Sequence, residues 1–165
     1  MRRVFIILML LINLAFLNAK SDELFKDIKC KEAYLYHFLT RACCYGDEIG
    51  VRILLSQGAE PNGKGYKNYA DCVGPFEYSS PLFLAVYNRH IEIVKTLLEA
   101  GANPNILEGE GVTPLVPAVK NEDIKIIKLL LKHGAKIDMK GLSYKPLKIA
   151  KEKQNDEIIK LLEDK

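Results

Sequence analysis

The sequence predicts an all-α solenoid built from about four stacked helix pairs, and three recurrences carry that prediction. The pattern Leu-Leu-x-x-Gly-Ala, then Asn or Asp, appears at Leu54–Asn62, Leu97–Asn105 and Leu130–Asp138. Gly101 to Gly134 is 33 residues, as is Pro81 to Pro114. Ala42, Ala85, Ala118 and Ala150 hold the same place in successive copies. A period near 33 belongs to units that bury their apolar faces against neighbours rather than within themselves.

Each element then has a local reason. Thr113-Pro114 and Ser80-Pro81 supply helix starts, with a hydroxyl as N-cap and a proline where the missing N–H costs nothing. The small alanines let a first helix lie close against its partner. Second helices show apolar residues at helical spacing, as in Ile124, Ile127, Leu130 and Leu131. Gly58, Gly101 and Gly134 end those helices, where a left-handed residue is wanted. A fourth, partial copy starts at Pro146-Leu147 and stops at Leu161-Leu162.

These segments resemble ankyrin repeats. The resemblance rests on Ser80-Pro81-Leu82, Thr113-Pro114-Leu115 and the Leu-Leu-x-x-Gly-Ala runs, and covers roughly residues 37 to 165. It implies helix–turn–helix units with hairpin-like fingers at right angles, and a concave face that binds partners without catalysis. Residues 20–165 read as one domain: an N-terminal cap over 20–36, then repeats near 37–62, 78–107, 111–140 and 144–165. His37-Phe38-Leu39 replaces the Thr-Pro-Leu signature in the first repeat. Lys148, Lys151, Glu152 and Lys153 charge the outer surface of the last. Pro117 falls in the first turns of the third repeat's first helix and is expected to distort it.

The opening segment reads as an address. Met1-Arg2-Arg3 is followed by an apolar stretch from Val4 to Leu17, broken only by Asn13. That is long enough for a secretory signal but short of the roughly 20 residues that span a bilayer. Ala19 offers a cleavage site, so residues 1–19 are expected to be removed and the protein to be periplasmic or secreted, with no membrane attachment. Cleavage takes Arg2 and Arg3 from the 24 basic residues, leaving 22 against 21 acidic and a net charge of +1. Such a balance argues against nucleic acid as a partner.

Export changes the meaning of the four cysteines, Cys30, Cys43, Cys44 and Cys72. Bridges are the default in an oxidising compartment. A bond between neighbours Cys43 and Cys44 would be strained, so each is expected to pair outward, one with Cys30 and one with Cys72.

Pro81 follows Asn62 by 19 positions, whereas Pro114 follows Asn105 by nine. The first finger, 63–79, is therefore enlarged by ten residues and carries Tyr66, Tyr69, Phe76 and Tyr78. Rigid aromatics on a loop suit partner contact; they equally suit folding back on the stack with Cys72 as a pin.

The candidate partner-binding residues follow from repeat geometry. The two positions before each inter-helix turn face the concave side: Cys44 and Tyr45, Tyr87 and Asn88, Lys120 and Asn121, Glu152 and Lys153. Arg41, Leu84 and Pro117 should be partly exposed on the same face. The later fingers add Leu107, Glu108, Glu110, Met139, Leu142 and Tyr144. Tyr45, Tyr87 and the first finger are expected to form an aromatic ladder.

Chemistry has little support. His37, His90 and His133 lie in different repeats without partners at ligand spacing, and no phosphate loop, nucleophile elbow or paired carboxylate appears. No cofactor or metal is expected, and haem has no motif behind it. Two functions follow. The first is an exported binding protein, monomeric when free, that neutralises one protein such as a toxin. The alternative is an accessory or chaperone for an oxidative-stress enzyme such as catalase.

Overall fold

The computed structural model describes residues 28–63, 79–109 and 111–164. These contain eight helices: α1 (Ile28–Tyr45), α2 (Glu48–Ser56), α3 (Pro81–Tyr87), α4 (Ile91–Glu99), α5 (Leu115–Lys120), α6 (Ile124–Lys132), α7 (Pro146–Glu152) and α8 (Asp156–Glu163). Each odd-numbered helix packs against the even one that follows it. The inner helices also stack in the order α1, α3, α5, α7, and the outer ones in the order α2, α4, α6. α1 runs unbroken across position 37, so the segment before the first repeat and the repeat's first helix are one rod. Most of the enlarged finger, with Tyr66, Tyr69, Cys72, Phe76 and Tyr78, lies outside the described residues, as does the expected signal segment.

One apolar seam holds the stack. Ala42, Ala85, Ala118 and Ala150 are fully buried, and Leu54, Leu97, Leu130 and Leu162 nearly so. Replacing the central leucines with alanine would cost on the order of 2–5 kcal/mol each, because helices on both sides limit collapse into the cavity. Val51, Val94 and Ile127 are fully buried, whereas Ile159 at the same place in the fourth repeat is only half-buried. No further described helix covers it.

Asparagine locks one repeat to the next. Asn62 donates from Nδ2 to the Gly101 carbonyl at 2.9 Å and accepts the Asn103 N–H at 2.6 Å. One repeat later Asn105 does the same with the Gly134 carbonyl at 2.9 Å and the Lys136 N–H at 2.8 Å. Both groups lie at the helix-ending glycines, whose orphan carbonyls need partners. Asp138 ends the series. Its carboxylate has no N–H to donate, and it faces Lys145 at 3.7 Å instead.

The turn inside each helix pair shows a second regularity. Gly46, Arg89, Glu122 and Gln154 all adopt positive φ, between 53° and 75°. At Gly46 both conformation and space demand glycine: a Cβ would stand 2.7 Å from the His90 ring. Elsewhere a longer side chain reaches the following repeat. Arg89 pairs with Asp123 at 3.3 Å, and Glu122 meets Lys153 at 3.1 Å and Asn155 at 2.8 Å. Asp47, Asp123 and Asn155 cap their own helices by accepting the N–H of Gly50, Ile126 and Ile158.

The third repeat's first helix is distorted as Pro117 requires, and the distortion overturns the expected cap. Ser80 caps α3, accepting the Phe83 N–H on Oγ at 3.3 Å and the Leu84 N–H on its carbonyl at 3.1 Å. In α5 the residue matching Leu84 is Pro117, which has no N–H. The Thr113 carbonyl is taken instead by the Val116 N–H at 3.0 Å, a tighter first turn, and the Ala118–Pro114 bond stretches to 3.5 Å. Val116 therefore never turns to the threonine side chain. Thr113 Oγ1 is buried without a hydrogen-bond partner, and the regular helix begins at Leu115.

Two similar-looking hydroxyls should thus respond oppositely to removal. Ser80→Ala is expected to lower unfolding free energy by about 1 kcal/mol. Thr113→Val should leave it unchanged or raise it by up to about 1 kcal/mol, since an unsatisfied buried polar group is deleted. Urea unfolding of both variants checks this, and a comparable loss from Thr113→Val would refute the account of α5.

Candidate protein-binding face

Along each inner helix, successive side chains point about 100° apart. With the buried alanine as origin, the leucine three before it also faces the core, as does the residue after it in the first three repeats; in the fourth that residue is the exposed Lys151. The residues two and three after it, and the one just before, share the opposite arc. Tyr87, Asn88, Lys120, Asn121, Tyr45, Glu152 and Lys153 are all exposed on that arc, with Arg41 beside them and Cys44 half-buried. Tyr45 is 59% exposed and Tyr87 62%, large apolar rings left open to solvent.

Two expected members, Pro117 and Glu108, are absent from the surface. Pro117 is buried, because its ring folds onto its own backbone and α5 lies between α3 and α7. Leu84 is half-buried, partly exposed as expected. Glu108, expected on the second finger's surface, is turned inward instead. Its Oε1 accepts the Ser80 N–H at 2.8 Å, and its backbone pairs with Val112 in an antiparallel bridge. Burial, then the Glu108 carboxylate, then Cys43 push the Tyr36 phenol above its ordinary range. Glu110 lies outside the described residues.

Nor do Tyr45 and Tyr87 form successive rungs. Tyr45 stands three residues after Ala42, and Tyr87 two after Ala85, so they belong to adjacent columns. Phe83 stacks on Tyr87, with ring centroids 6.3 Å apart and planes 16° from parallel. The Arg41 guanidinium lies over the Tyr45 ring at 5.7 Å. Farther along, Lys120 Nζ sits 4.4 Å from the Tyr144 centroid. Sequence reading passed over Phe83, since a phenylalanine at helical spacing looks like core, and treated Tyr144 only as a finger residue. Its contact with Lys120 crosses from finger to helix and has no sequence signal.

The asparagines have duties of their own. Asn88 Nδ2 donates to the Leu84 carbonyl at 2.9 Å, and Asn121 Nδ2 reaches the Tyr87 carbonyl at 3.4 Å.

The family model for ankyrin repeats (3 copies) matches residues 11–108 and 82–165. The chain belongs to the ankyrin-repeat family. An ankyrin repeat protein of fowlpox virus (strain NVSL) is 34% identical over 79 residues, 48% of this chain and 9% of that protein. The chain therefore covers under a tenth of that relative's length. Ankyrin repeats generally mediate protein–protein binding. Among the described residues, no helix is long and apolar enough to cross a membrane, and no three His, Cys, Asp or Glu side chains group as metal ligands.

Among the described residues Cys43 and Cys44 are free thiols and are not bridged to each other. Cys43 follows the buried alanine, as Val86 and Val119 do, and is fully buried in the same core. Burial, and after it the neighbouring Cys44, push the Cys43 thiol up. Cys44 turns toward the groove, its sulfur 4.0 Å from Asn88 Nδ2. Cys72 and the Cys30 side chain lie outside the described residues.

Alkylation with iodoacetamide and peptide mapping is expected to mark Cys44 in the native protein. Cys43 should be spared until unfolding, because a buried thiol is neither ionised nor reachable. Recovery of either residue in a disulfide-linked peptide would show the outward bridge instead.

Proposed function

We propose that this chain is an exported, non-catalytic module that holds one specific protein on its inner face and so blocks it, as an immunity protein blocks a toxin. The observation that carries this is the row of Tyr45, Tyr87 and Tyr144, each over 40% exposed on a single preorganised face. Tyrosine offers large contact area for two side-chain torsions, and a rigid backbone has little left to order on binding. Blocking needs only tight, occluding contact. Export is inferred from the composition of residues 1–19.

The test is a pull-down of the signal-free protein from its own cell-envelope extract, with partners identified by mass. A single stoichiometric toxin is the expected outcome, whereas a catalase would turn the reading toward an accessory role. Tyr45→Ala combined with Tyr87→Ala should weaken capture by about thirtyfold or more, the loss typical of a hot spot. The melting temperature should hardly move, because both rings are exposed. Undiminished capture by that variant would move the site off this face.

A further inference from the structure

The inner face is chemically polarised from one end to the other. At its first half stand the stacked Phe83 and Tyr87. At its second half stand lysines, most of them already committed: Lys145 to Asp138, Lys148 to Glu152, Lys153 to Glu122. Lys120 differs. Its ammonium lies over the Tyr144 ring, it is exposed, and it makes no ion pair among the described residues. The whole chain shares the polarity. Residues 20–110 hold 10 basic and 13 acidic side chains, a net of −3, while residues 111–165 hold 12 and 8, a net of +4.

A cation held by a ring keeps its charge for a third party. The aromatic face orients the ammonium without neutralising it, so an incoming carboxylate need displace no internal acid. The net charge of +4 over residues 111–165 adds a field of the same sign, which speeds encounter and suppresses cationic competitors.

We infer that the groove receives an acidic segment of its protein partner, with carboxylates seated at Lys120 and an apolar side chain on the Phe83–Tyr87 stack. This rests on the inner face being the binding face.

The probe is a short synthetic peptide of glutamates flanking one phenylalanine, with its lysine counterpart as control. Each is titrated into the isotope-labelled protein while backbone amide signals are followed. The glutamate peptide should give saturable shifts at Tyr87, Lys120, Asn121 and Tyr144, abolished by high salt. Lys120→Glu should weaken it by about tenfold or more. Lys120→Arg should retain it, and Lys95→Glu on the outer helix should change little. Equal binding of the lysine peptide, or an unaltered affinity in Lys120→Glu, would overturn the inference. If neither peptide maps to the groove while Tyr45→Ala with Tyr87→Ala still abolishes partner capture, the acidic segment is wrong and the binding face stands. If that double variant also captures normally, both fall.

Discussion

Everything in this molecule depends on the register between adjacent repeats, and at each of the first two junctions a single asparagine sets it. Asn62 and Asn105 each bind both an orphan carbonyl and an N–H of the following helix end. Apolar contact alone would hold the helices together while permitting them to slide, since burial is not directional. The two-point amide clamp removes that freedom. The turn residues add a second clamp on the other edge, through Arg89 to Asp123 and Glu122 to Asn155. With both edges pinned, the columns of exposed side chains on the inner helices fall at fixed offsets.

That fixed offset converts a helical pattern into a binding surface. Fully buried alanine at one position places the residues two and three later on the solvent arc in every repeat. What stands there lies outside the core and can differ: tyrosine in the first two repeats, lysine and asparagine in the third, glutamate and lysine in the fourth. The scaffold is repetitive and the face is not, which is the condition for recognising one partner rather than many.

Much of the scaffold was legible in the residues because its constraints are local. A proline after a hydroxyl, a glycine after two leucines and an alanine at a fixed place each have one dominant structural use, and they recur together. The turns at Arg89, Glu122 and Gln154 were not legible, because those side chains rarely take positive φ and are tolerated here by what the first two touch across the junction or by exposure. Thr113 misled for a related reason. Its capping role was cancelled by Pro117 four residues on, through a hydrogen bond that proline cannot make. Adjacency in sequence also hides divergence on a helix: the Cys43 thiol enters the core and the Cys44 thiol leaves it. On the inner face the exposure of Tyr45, Tyr87, Lys120 and Asn121 was foreseen better than their contacts, since Lys120 over Tyr144 joins two elements that only the fold brings together.

The central claim is that the inner face, and not the outer helices, meets the partner. Its most direct test is a photo-crosslinking amino acid placed at Tyr87 or, in a parallel strain, at Lys95 on the opposite side, with illumination in the native cell envelope. Adducts of one defined mass from position 87 and none from position 95 are the predicted result. Adducts from position 95 with none from position 87 would contradict the account and move recognition to the convex surface.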